Sequence, residues 1–299
     1  MTDVILHLVA EALRLELYTA PKPGLVDRHN SGAHRDLSYE IMAADIPLVV
    51  SQARLALNLA KARPQLDSLA AFNALRSNGQ RLESKLGGGK TNTYKGLVFA
   101  FSFLAYDLEL IIKEADNCTE FISSWRKQIS CLAEFAQKDY REANRDFMSG
   151  FGYQAKLIHG RNGAREEALW AYPLVFEEAL RLYAQGIGRG LSQESAALLC
   201  LMLFISKLSD SNLYKRIGYR QARLWQVKVG KKLRVLRDNL NNEDAGENTI
   251  ELVRYMTELD RRFIEQNASP GGAADHLAIL FFVVEILKQY FPGWQEQFK

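Results

Sequence analysis

Cysteine is scarce: Cys118, Cys131 and Cys200 are odd in number, far apart and form no CxxC pair. That pattern excludes a disulfide framework and a cysteine zinc site, and it fits a reducing cytosol. Excess charge is missing as well. A formal net charge of +3 over 299 residues gives no reason to invoke nucleic acid or a membrane surface as partner. Long apolar runs are absent, and the two most apolar stretches, 196–205 and 277–287, reach about half the roughly 20 residues of a membrane-spanning helix. Both are expected to be buried core helices. Asp3 and Glu11 lie near the N-terminus and no basic segment precedes an apolar run, so no secretory signal is expected and the setting is read as cytoplasmic. Internal repeats and low-complexity tracts are lacking, and strand-like alternation is hard to find.

What is there is 47% hydrophobic and 24% charged, the balance of a chain that folds around its own core. Its length lies at the upper edge of one domain, and a single domain over 1–299 is expected. Helical periodicity dominates. Ile5, Leu8, Val9, Ala12 and Leu13 form one apolar stripe, and Leu55, Leu59 and Ala62 belong to another. Further helices are predicted over 66–85, 95–116, 119–139, 165–185, 192–208, 213–239, 248–267 and 272–290. The expected fold is all-α: one globular bundle of about ten helices with a polar cleft formed by the loops between them.

Glycine, proline and asparagine gather in five stretches: Pro21–His34, Gly87–Gly96, Gly150–Gly163, Asp210–Gly218 and Ser269–Asp275. Each mixes glycine with charged or amide side chains, a composition suited to anions and metals rather than to plain chain reversal. In the first, two prolines stiffen the chain and Gly24 lets backbone approach a ligand, so Lys22, Asp27, Arg28 and His34 are held in fixed directions. A proline-stopped helix followed by a solvated loop is the plainer reading.

Gly87-Gly88-Gly89-Lys90-Thr91-Asn92-Thr93-Tyr94-Lys95-Gly96 places glycine amides and two lysines before an apolar helix, an arrangement that attracts phosphate. It is not a Walker A loop, because no glycine stands five residues ahead of Gly89. Asp210-Ser211-Asn212, followed by Lys215 and Arg216, sets oxygen ligands beside cations, as a magnesium nucleotide requires. Ten lysines and arginines lie between Lys207 and Arg237, and those beyond Arg220 read as a solvated helix face. Ser269 and Pro270 suit the start of the last helix. Gly271 and Gly272 follow where alanine makes the better helix, which implies close approach by a ligand or another helix. His159 and His276 read as locally satisfied histidines.

In this order the loops resemble the triphosphoribosyl-dephospho-CoA synthase family, which serves citrate lyase and malonate decarboxylase. The resemblance spans most of the chain. It rests on PKPGLVDR at 21–28 with NSGAH at 30–34, NTYKG at 92–96, GAREEA at 163–168, DSN at 210–212 and SPGGAAD at 269–275. Three positions depart from the family pattern: Tyr94 stands for histidine, Glu166 for glycine and Ser211 for threonine. The change at Tyr94 removes a group able to carry a proton near neutral pH.

The resemblance implies an all-helical fold and transfer of a triphosphoribosyl unit from ATP to the 2′-hydroxyl of 3′-dephospho-CoA, with release of adenine. Such a displacement needs a carboxylate to take the hydroxyl proton, help for the departing base and cations along the triphosphate. The expected assignments are Asp27 or Glu83 as base, with Glu16 and Glu167 also at family-like positions; Mg2+ on Asp210, Asn212 and Asp275; and phosphates on Lys22, Lys95 and Arg216. Gly24, Arg28, His34, Asn92, Gly271 and Gly272 complete the expected nucleotide contacts. The expected partners are ATP and 3′-dephospho-CoA, and a homodimer is left open. Hydrolysis of a nucleotide N-glycosidic bond and non-catalytic nucleotide binding are the competing readings.

Overall fold

A computed structural model describes residues 1–62, 67–142, 164–242 and 245–298, and the Gly150–Gly163 stretch with His159 lies outside them. Thirteen α-helices and no strand occur among the described residues, so the fold is all-α. They are α1 Thr2–Tyr18, α2 Tyr39–Lys61, α3 Ser68–Glu83, α4 Lys95–Leu104, α5 Leu108–Glu114, α6 Cys118–Glu142 and α7 Ala164–Leu169. After a π-helical stretch, Leu174–Ala179, come α8 Leu180–Gly188, α9 Gln193–Lys207, α10 Ser211–Ile217, α11 Tyr219–Asn242, α12 Ala245–Glu265 and α13 Gly271–Tyr290.

The count exceeds the expected ten because three predicted helices are each broken in two. Asp107, at φ 58°, separates α4 from α5. Ala171 and Tyr172, at φ 52° and 48°, stop the segment that starts with α7. Gly218, at φ 77°, ends α10 before α11 begins. Left-handed backbone cannot continue a right-handed helix, and in the first two cases no glycine marked the place. The α2 stripe is also turned: its buried face is Met42, Asp45, Ile46, Val49, Gln52, Ala53, Ala56 and Leu57, whereas Leu55 and Leu59 are half-buried. The α1 stripe is buried as expected.

The chain divides into two compact units. The first comprises Met1–Leu13, Ile41–Pro173 and Phe282–Pro292. Its core is aromatic: Phe282 meets Phe101 at 5.1 Å and Trp125 at 5.8 Å, and Phe121 stacks on Phe291 at 4.6 Å. The Trp125 indole N–H donates to the Leu104 carbonyl at 2.9 Å, so the ring is buried with its polar atom satisfied. Buried Gln52 ties three helices by donating to the Leu75 carbonyl and the Ser102 hydroxyl at 2.9 and 2.7 Å.

The second unit comprises Arg14–Glu40, Leu174–Phe281 and Gly293–Lys299. Every residue from Ser195 to Ile205 of α9 is buried, which is why that helix is apolar all round. No single helix among the described residues is long and apolar enough to cross a membrane.

Candidate active site

Three of the predicted loops are joined in the second unit, and their hydrogen bonds show which polar groups are already occupied. α1 stops at Tyr18, ahead of Pro21 and Pro23, and the following loop winds around Asp27. Oδ1 of Asp27 accepts the His29 and Asn30 amides at 2.7 and 3.1 Å, and Oδ2 accepts the Lys22 amide at 2.9 Å. Both oxygens therefore organise the loop.

Gly24 is left-handed at φ 68° and donates its amide to Asp260 Oδ1 at 2.8 Å, while Asn30 reaches Asp260 Oδ2 at 3.1 Å. Asp260 of α12 thus holds the loop from 230 or more residues away. Neighbouring backbone, rather than a ligand, explains the glycine: a Cβ at position 24 would lie 2.0 Å from the Ala268 carbonyl oxygen.

Lys22 is fully buried, and its ammonium donates to the carbonyl and the carboxylate of Glu16. Glu16 is buried too, and its second oxygen, Oε2, has no hydrogen-bond partner. Burial raises the Glu16 pKa, and the Lys22 ammonium opposes that shift. Arg28 stacks over Tyr18 and donates to the Tyr18 carbonyl and to Glu194. Lys22 and Arg28 are thereby engaged inside the protein.

Asp210 caps α10 through Oδ1, which accepts the Asn212 and Leu213 amides at 2.9 and 3.0 Å. Its Oδ2 accepts the Gly272 and Ala273 amides at 2.8 and 3.3 Å, so one carboxylate caps α10 and α13 together. Burial raises its pKa, and the four amides pull the other way. A Cβ at Gly271 would lie 2.6 Å from Asn212 Nδ2, and one at Gly272 would lie 3.0 Å from Asp210 Oδ2. The two glycines admit a neighbouring helix end, the second of the two expectations for them.

His34 joins all three loops. Arg216 donates to its Nδ1 at 3.0 Å, and because guanidinium only donates, the ring proton sits on Nε2 and points to Ser269 Oγ at 2.8 Å. Arg216 also donates to the Ala33 carbonyl and to Asn267 Oδ1, each at 2.8 Å. Burial, aided by the Arg216 charge, lowers the His34 pKa to about 4. Between pH 6.5, the ordinary value, and about 4 the unfolded chain binds a proton that the folded chain does not, so this histidine makes the fold less stable as pH falls through that window. Urea denaturation at pH 7 and pH 4.5 is expected to show that loss in the wild type and a smaller loss in His34→Gln.

Asp275, one turn into α13, is partly exposed. Burial lifts its pKa to about 8, His276 opposes the rise, and the Glu16 and Asp210 carboxylates add to it. His276 donates Nδ1–H to the Gly272 carbonyl at 2.8 Å and packs on Phe204, as a locally satisfied histidine does.

The first unit holds the other predicted residues. Gly87, Gly88 and Gly89 are all left-handed, and Asp45 Oδ2 accepts the Gly87 amide and the Thr93 hydroxyl, both at 2.6 Å. Asn92 Oδ1 accepts the Lys95 amide at 3.1 Å at the start of α4, and the Lys95 ammonium pairs with Glu83 at 2.8 Å. Glu167 lies on α7 and is half-buried. Tyr94 is 1% exposed and part of the core.

Sequence reasoning missed Asp45, Asp260 and Glu194. Asp45 and Asp260 had a visible signal, an acid on the buried apolar stripe of an amphipathic helix. Glu194, in the first turn of α9, had none.

In this all-α protein, buried carboxylates and a neutral histidine of fixed tautomer join the three polar stretches. Residues 2–292 match the family described as CitG: ATP:dephospho-CoA triphosphoribosyl transferase, and the chain belongs to that family. It is a transferase that moves the triphosphoribosyl group of ATP to dephospho-CoA. No solved structure matches the chain.

Proposed function

We propose that the second unit carries the proton transfer of this reaction on Asp275. The acceptor's 2′-hydroxyl gives its proton to the Asp275 carboxylate, its oxygen bonds to C1′ of the ATP ribose, and the C1′–N9 bond breaks with its electron pair leaving on adenine. A proton must then reach adenine, and the protonated Asp275 is one source. The carrying observation is that Asp275 is partly exposed with a pKa near 8, while both oxygens of Asp27 and Asp210 already accept backbone amides. A base works best with a pKa near the working pH. Glu83 is paired with Lys95, which makes it the weaker choice.

Mg2+ fits the protein residues poorly. Asp210 accepts two amides on each oxygen, and no group of three or more His, Cys, Asp or Glu suited to a metal occurs among the described residues. The ion is better placed on the phosphates of ATP, arriving with the substrate. A cytoplasmic setting is in keeping with the free state of Cys118, Cys131 and Cys200.

The test is adenine release from magnesium ATP, followed by chromatography, with and without dephospho-CoA. Release that needs the acceptor, with a matching gain in acceptor mass, is the expected result. Adenine formed equally well without acceptor would mean a nucleotide hydrolase, and ATP binding with no adenine over long incubation would mean a binding protein.

A further inference from the structure

A groove lies in the first unit, on residues outside those proposed for the transfer reaction. It runs along one face of α6, where Thr119, Ser123, Arg126 and Lys127 follow helical spacing, and it is closed at one side by Trp170 and Ala171. Its volume is 430 Å3, and among the described residues its lining contains two cations, three hydroxyls and no acid.

Trp170 is held outward by a turn that departs from helix preference. Beyond α7, the Tyr172 amide donates to the Glu167 carbonyl at 2.7 Å and the Ala171 amide to the Ala168 carbonyl at 2.9 Å, the paired bonds of a Schellman cap. Glycine is the usual residue at the left-handed position, yet Ala171 occupies it and Tyr172 is left-handed as well. Ala171 and Tyr172 are 2% and 3% exposed, whereas Trp170 is 48% exposed. The other three tryptophans are buried. An exposed indole next to two buried left-handed residues whose amides are hydrogen-bonded is an arrangement that burial alone does not require.

We propose that this groove binds a nucleoside phosphate, with its base stacked on Trp170 and its phosphate held by Arg126 and Lys127. Aromatic stacking accepts any base, and the cations and hydroxyls supply the donors a phosphate needs. The volume falls within the range of small-ligand sites. The inference goes beyond the transfer reaction.

GMP is the probe, because it offers a purine and a phosphate but no adenine. Titrated into the full chain, it is expected to quench tryptophan emission saturably, since Trp170 is the exposed indole. By calorimetry, Trp170→Ala is expected to weaken GMP binding about tenfold. Lys127 is exposed, so Lys127→Glu should fold normally, and it is expected to weaken binding about tenfold or more. Guanosine without phosphate should bind more weakly than GMP. The idea is overturned if GMP leaves the emission unchanged at millimolar concentration, or if Lys127→Glu binds it as the wild type does. GMP binding that persists in Asp275→Asn would separate this groove from the proposed catalytic acid, and its loss there would overturn the assignment.

Discussion

Asp275→Asn is expected to lower kcat by about 10^2- to 10^4-fold, the usual loss when a general base is removed. KM for ATP changes little, because the amide has nearly the size of the carboxyl and the α13 end stays capped by Asp210. The pH profile is the sharper reading. A base must be deprotonated to act, so kcat/KM in the wild type rises with pH through about 8, the value to which burial and the neighbouring carboxylates lift Asp275. In Asp275→Asn that rising limb is absent from the residual activity. A wild-type limb at the ordinary carboxylate pKa would refute the role, and so would a variant that keeps the limb near 8.

Gly24→Ala is expected to cost about 3 kcal/mol or more of stability, the range of severe backbone and packing conflicts. Two penalties combine: φ is 68°, and the new Cβ would lie 2.0 Å from the Ala268 carbonyl oxygen and 3.0 Å from Phe263 Cβ. Neither neighbour is the free end of a flexible side chain. Relief requires the loop to move off α12, which breaks the Gly24 amide bond to Asp260 and frees the segment that carries His34. Gly88→Ala separates the two penalties. Gly88 is left-handed at φ 66° with nothing within 4 Å of the added carbon, so it should cost only about 1 kcal/mol. Denaturation midpoints of the two variants measure the difference, and equal midpoints would show that the close approach at Gly24 is not rigid.

Some of this architecture was readable from residue spacing. The α1 stripe, the buried runs of α9 and α13 and the all-α class follow from apolar residues at helical intervals, because burying one face is what makes such a segment helical in water. The breaks at Asp107 and at Ala171–Tyr172 were not readable, since aspartate, alanine and tyrosine rarely adopt positive φ and do so here under tertiary constraint. Of the five stretches picked out by composition, Gly150–Gly163 lies outside the described residues, and 211–217 and 271–275 are helical rather than loop; three of the stretches are joined in the second unit through Arg216–Ala33, His34–Ser269 and Asp210–Gly272.

Individual roles were the least readable part. Lys22, Arg28, Asp27 and Asp210 have the right chemistry for a substrate site, yet the folded chain uses their charges on itself. Gly271 and Gly272 invited a ligand on paper and received the Asp210–Asn212 turn.

Local chemistry along the chain settled the helical class and membership of a transferase family, because periodicity, capping residues and short motifs act over a few residues. Which acids accept backbone amides was settled by folding. Asp210 meets Gly272 across 62 residues and Gly24 meets Asp260 across 236, and a carboxylate's availability and pKa depend on such distant partners and on the water they exclude.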